Sequence, residues 1–113
     1  MTKIEIVVNA LEDINAFDVI VFDTKEKSPF FDYFVVSTVT SDRQLQAVIN
    51  HINQDLAENG YPHPAVEGKN SKFWVLIDCK DIIVNIFTRE ERDFYNIEKM
   101  WVGTEQLELN DKK

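Results

Sequence analysis

The stretch Phe73–Trp101 constrains the fold of this chain more than any other, because its hydrophobic period changes partway through. FWVLID and IIVNIF are short apolar runs rich in the β-branched and aromatic residues that pleated sheets accommodate. Both are too short for buried globular helices, so they read as strands. The polar CKD between them predicts a tight hairpin connection. In the following REERDFYNIEKMW, Phe94, Ile97 and Trp101 recur at three- and four-residue steps. That spacing predicts a short helix with those three on one face and Tyr95 and Met100 beside or opposite them. This corner is expected to be both the heart of the sheet and the recognition surface.

The rest of the chain supplies layers around that hairpin. Ile4, Val7, Val8, Leu11 and Ile14 lie at helical spacing and predict an amphipathic helix of about three turns. Ala16–Asp23 and Asp32–Thr38 read as strands separated by the TKEKSP loop, the second nearly continuous in bulky residues, as when both faces are covered. Ser41 as N-cap, Asp42 in the first turn and Gln44 three residues on mark the start of the main helix. Leu45, Val48, Ile49, Ile52 and Leu56 form its apolar stripe, with Ala47 at the margin, and Gly60 ends it. Pro64–Val66 is expected as a short edge strand before a turn at Gly68. Residues 1–101 thus form one domain and 102–113 a polar C-terminal tail. The order predicts an α/β fold, a mixed sheet covered mainly by helices, with a right-handed crossover from the second strand through the long helix.

Charge and cysteine usage narrow the partners. The formal net charge is -8, which argues against direct DNA binding and against more than a little RNA-backbone contact, since both need clustered cations. It favours solubility and, as a sharper reading, attraction to a basic protein. No run approaches the roughly 20 apolar residues of a membrane span, and the acidic N-terminus lacks the marks of a leader. The single cysteine, Cys79, permits no internal disulfide and fits a reducing, cytoplasmic setting.

Catalytic chemistry is hard to assemble from these residues. Asp18 and Asp23 flank one strand, Asp32 starts another, and Asp78 and Asp81 flank the hairpin turn. Such carboxylates could hold Mg²⁺ if they converged, but turn aspartates are ordinarily solvated. The three glycines, Gly60, Gly68 and Gly103, lie outside the strand-to-helix junction where a phosphate cradle would form. Cys79 beside Lys80 has a thiolate expected to be slightly favoured, yet neither His51 nor His63 is identifiable as its base. His51 reads as a surface or boundary histidine beside the buried stripe. The expectation is no enzyme, no cofactor and no metal.

Surface recognition remains. On the hairpin, Trp74, Leu76 and Asp78 point one way and Phe73, Val75 and Ile77 the other, the latter set expected to hold the sheet to its helices. Ile83, Asn85 and Phe87 share a face of the second strand, and a polar Asn85 among apolar neighbours predicts a face partly open or closed by another molecule. Trp74 and Trp101 are residues of the kind that anchor interfaces, and equally of the kind that fill cores. Arg92 and Tyr95 add polar contacts or solvate the outer face of their helix.

At these residues the chain resembles the ribosomal silencing factor family, also called Iojap-like proteins. The resemblance rests on AFDVIVFD, DYFVV with Ser41 and Arg43-Gln44 beyond it, Glu67-Gly68, Trp74 leading into the Asp78/Asp81 hairpin, and Arg92, Tyr95, Ile97-Glu98 and Trp101. It implies a non-catalytic translation repressor that binds the large ribosomal subunit at its protein number fourteen and sterically blocks joining of the small subunit under nutrient stress. It also implies a nucleotidyltransferase-like core without a catalytic site, and a possible homodimer. The recognition residues it implies are Trp74, Asn85, Arg92, Tyr95, Glu98, Met100 and Trp101, with Arg43 bracing the fold through a carboxylate. Three positions depart from the family: Asn85 where His is usual, Val39 near a usual Gly, and Cys79-Lys80 at a usual glycine-containing turn. Two other readings stay open, a Mg-dependent nucleotidyltransferase-like enzyme using Asp18, Asp23 or Asp78, and a homodimeric adaptor module.

Overall fold

A computed structural model describes residues 2–107. The element order is α1 (Lys3–Asp13), β1 (Phe17–Asp23), β2 (Tyr33–Val39), α2 (Asp42–Glu58), β3 (Ala65–Glu67), β4 (Trp74–Asp78), β5 (Ile82–Thr88), α3 (Arg89–Tyr95) and a 3-10 helix (Ile97–Trp101). The strands form one five-stranded sheet in the order β1-β2-β5-β4-β3. Only the central β2–β5 pair is parallel, and the other pairs are antiparallel. A parallel pair cannot be joined by a tight turn, so the chain between them must cross over, and it does so through α2, β3 and β4. The mixed α/β class read from the sequence is therefore the observed one.

Side-chain alternation divides the sheet into two faces. Val35, Val39, Val75, Ile77, Val84 and Ile86 point to the face carrying α1 and α2, and join Val7, Leu11, Leu45, Val48, Ile52 and Leu56 in the larger core. The other face holds a smaller cluster of Phe22, Phe34, Val36 and Phe87, with Trp74, Ile83, Ile97 and Trp101 packed against it. Local chemistry sets the helix starts. Ser41 Oγ accepts from the Gln44 N–H at 3.3 Å, whereas the Gln44 carboxamide reaches the backbone N–H of Thr40 rather than that of Ser41. The full reciprocal capping box is instead at α1, between Thr2 and Glu5, where β-branched residues most need the help.

Several expectations give way. Phe73 does not hold the sheet to its helices; it precedes β4 and is 55% exposed, leaving Val75 and Ile77 to that role. The expected single helix after β5 is broken at Asn96, whose φ of 47° closes α3 and starts the 3-10 helix with a new phase. Phe94 is thereby turned outward, 77% exposed, while Ile97 and Trp101 pack inward. The first residues of the expected tail are ordered: Asp23 N–H donates to Glu105 O, Leu107 N–H to Val21 O, and Gln106 bridges Phe22, so this strip covers the free edge of β1. Residues 108–113 lie outside the described residues. At Gly68 a Cβ would lie 2.8 Å from the Trp74 carbonyl oxygen, and φ is +80°, so the turn that returns the chain into β4 needs glycine.

Candidate functional site

The face opposite α1 and α2 is built in cross-strand rows. One row runs Phe17, Thr38, Phe87, Trp74, and the next Ile20, Val36, Asn85, Leu76. Trp74 stacks on Phe87 with ring centroids 5.0 Å apart, and Tyr95 from α3 lies 5.1 Å from Trp74. At the other end, Trp101 packs 5.2 Å from Phe34 and edge-on to Phe31 at 6.0 Å. The choice between core and interface for the two tryptophans resolves into a boundary position: each is partly buried and lines the smaller cluster.

Arg92 holds this cover in place. Its guanidinium is 5% exposed and makes a two-pronged contact with Glu98, Nε to Oε1 at 3.2 Å and Nη2 to Oε2 at 3.0 Å. Nη1 donates to the Asp18 carbonyl at 2.6 Å and to Thr38 Oγ1 at 2.7 Å. These bonds join α3, the 3-10 helix, β2 and the irregularity in β1 between Phe17 and Ile20, where Asp18 adopts φ +50°. A rigid guanidinium fork suits such a junction, since lysine could satisfy neither geometry. Outside it, Arg89 pairs with Asp18 at 2.6 Å, a hydrogen bond that lowers the Asp18 carboxyl below its usual range.

Asn85 is fully buried. Its Oδ1 accepts from Trp74 Nε1 at 3.2 Å, while its Nδ2 finds no partner among the described residues. The polar residue that suggested an open face thus sits beneath that face, and in the free chain it orients Trp74 instead of meeting another molecule. Arg92 is likewise internal, so of the seven residues implied as contacts Asn85 and Arg92 are placed as supports. Tyr95 and Met100 are exposed at 48% and 65%, and Trp74, Glu98 and Trp101 lie at the boundary. Phe94, whose outward turn depends on the Asn96 break, is the exposed residue that periodicity missed. A hollow of about 230 Å³ between Glu67, Gly68, Trp74 and Leu76 adjoins the site. Arg43 is exposed, with no carboxylate at ion-pair distance among the described residues, so the bracing role does not hold.

The carboxylates raised for catalysis do not converge. Asp18 and Asp23 occupy opposite halves of β1; Asp18 faces Arg89 and Asp78 accepts from the Lys80 N–H. Cys79 is buried at 3% exposure, and burial pushes its thiol up to about 12, the reverse of the activation expected beside Lys80.

Fold and site define a small mixed α/β domain with one sheet face sealed by two long helices and the other covered by aromatic side chains on a short, arginine-locked segment. The chain belongs to the ribosomal silencing factor family, whose description, "Ribosomal silencing factor during starvation", matches residues 1–113. It is 36% identical over 98 residues to the ribosomal silencing factor RsfS of Bacillus subtilis, covering 87% of this chain and 83% of that protein. The RsfS of Chromobacterium violaceum is 36% identical over 99 residues, 88% and 81% of the two chains. Among solved structures, a Bacillus halodurans protein superposes with a TM-score of 0.81 at 33% identity, covering 94% and 96% of the chains. A Chromobacterium violaceum protein does so at 0.83 and 34%, covering 97% and 93%. The family comprises non-catalytic regulators of translation.

Proposed function

We propose that this chain binds the large ribosomal subunit in the cytoplasm at its protein number fourteen and blocks joining of the small subunit by occupying the space that the latter needs. The observation that carries this reading is that Trp74 and Trp101 pack on the same sheet face, with Tyr95 beside Trp74 and Glu98 on the Arg92 lock, while Tyr95 and Met100 stay exposed. Interfaces are anchored by aromatic residues set in a semi-rigid frame, and Tyr95 packed at a tilt against Trp74 has that form. A net charge of -8 steers the chain towards a basic protein and away from bare RNA. The mechanism needs no chemistry, only a 13.2 kDa body in the wrong place. The nucleotidyltransferase-like reading of the core belongs to this proposal as a retained scaffold whose carboxylates have local partners.

Co-sedimentation with isolated large subunits at physiological salt tests it. Wild type is expected to pellet with the subunit, and a Tyr95→Ala, Met100→Ala double variant to remain largely in the supernatant while keeping its circular dichroism. Absence of wild-type binding overturns the function, and undiminished binding by the folded variant overturns the surface. A homodimer through the same face would show as competition between self-association and subunit binding.

A further inference from the structure

On the opposite side of the sheet, α1 and α2 bring together three side chains that ribosome binding does not use. Asp13 is the last residue of α1, and His51 and Asp55 stand one turn apart on α2. His51 Nε2 lies 3.3 Å from Asp13 Oδ2 and 3.7 Å from Asp55 Oδ2. One ligand atom from each residue falls within 4.8 Å of the other two, the sole such His/Cys/Asp/Glu group among the described residues.

Two carboxylates therefore converge on a single ring nitrogen, which carries at most one hydrogen and can bond well to only one of them. Asp13 also sits at the negative end of the α1 dipole, and neither α1 nor α2 has a basic residue in its last turn. Both features favour a cation at the centre. Zinc takes nitrogen and oxygen donors at about 2.0–2.2 Å, which in a tetrahedron sets the donors about 3.3–3.6 Å apart. The two distances from His51 fall near that spacing, and the third edge, between the Asp13 and Asp55 oxygens, is within 4.8 Å.

We infer that Asp13, His51 and Asp55 form a divalent transition-metal site, with water completing the coordination on the exposed side. An imidazole nitrogen with two carboxylates suits zinc or nickel, whereas magnesium and calcium prefer oxygen donors throughout. The ligands come from two helices, so the ion clamps α1 to α2. It binds the folded chain in preference to the unfolded one and raises the melting temperature by mass action. The aromatic face is untouched.

The test is calorimetric titration of the tag-free full chain with zinc chloride and, separately, magnesium chloride, followed by thermal melts. Zinc is expected to bind once per chain and raise the melting temperature, and magnesium to do neither. His51→Ala and Asp55→Asn should each weaken zinc by about tenfold or more, since even outer-shell partners of metal ligands cost that much. His63→Ala should leave zinc binding unchanged. Absence of zinc binding at millimolar concentration, or undiminished binding and an equal thermal shift in the folded His51→Ala chain, overturns the proposal. Should His51→Ala fail to fold, Asp13→Asn, at an exposed position, reads the same comparison.

Discussion

On one face of the sheet Val35, Val39, Val75, Ile77, Val84 and Ile86 meet Val7, Leu11, Leu45, Val48 and Ile52, and all eleven are inaccessible to solvent. On the other face Phe34, Val36 and Phe87 share the surface with Thr38, Asn85 and Arg92, beneath a cover that leaves Phe94, Tyr95 and Met100 exposed. The first face is aliphatic and closed, so its stabilisation comes from apolar burial and close packing. The second contains polar groups whose burial costs free energy unless each is bonded, and two of them, the Asn85 amide nitrogen and Trp101 Nε1, have no partner among the described residues. That difference separates a face that maintains the fold from the one proposed above to meet the ribosome.

The comparison can be broken most forcefully from the closed face. Leu45→Ala should cost about 2–5 kcal/mol in urea unfolding, the range for a cavity in a core that cannot collapse, with ribosome binding by the folded fraction unchanged. A binding loss equal to the stability loss would mean that the faces do not divide the labour. Next is Arg92→Met, which strands the Asp18 carbonyl, Thr38 hydroxyl and Glu98 carboxylate. It should cost about 1–3 kcal/mol, the desolvation range for an unsatisfied buried group, and open residues 89–101 to limited proteolysis before the rest of the chain. Protection equal to wild type would remove Arg92 as the lock.

Tyr95→Ala and Met100→Ala sharpen the contrast by reversing it. Each should weaken subunit binding by more than about 1 kcal/mol, as interface anchors do, while Met100→Ala changes stability by no more than about 0.5 kcal/mol. Equilibrium sedimentation and urea titration of the same preparations give both numbers. The smallest effect concerns Asp18, whose carboxyl is held below its ordinary 3.8 chiefly by the hydrogen bond from Arg89. A depressed native value means stabilisation that is present above pH 3.8 and lost as pH falls through the lower native value. The pair is exposed, so Asp18→Asn should remove only a small, salt-screened part of the acid sensitivity. Identical acid-unfolding profiles at low salt would deny the pair any role.

Much of the fold was legible because secondary structure follows hydrophobic period. The β4–β5 hairpin, the stripe of α2 from Leu45 to Leu56 and the β2 run all stood in the residue pattern, since burying an apolar face requires that pattern whatever the partner element is. The family was legible too, through Trp74, Arg92, Tyr95 and Trp101 in their order. Tertiary structure decided the roles. Asn85 became a buried orienting group because Trp74 closes over it, and Arg92 became a lock because the β1 irregularity and Thr38 reach it from distant sequence and Glu98 from beyond the Asn96 break. Phe94 moved outward because one residue, Asn96, took a left-handed conformation that resets helical phase. The Asp13–His51–Asp55 cluster exists only because α1 and α2 lie side by side. Period reports which residues seek burial; the identity of their neighbours is a property of packing between segments far apart in the chain.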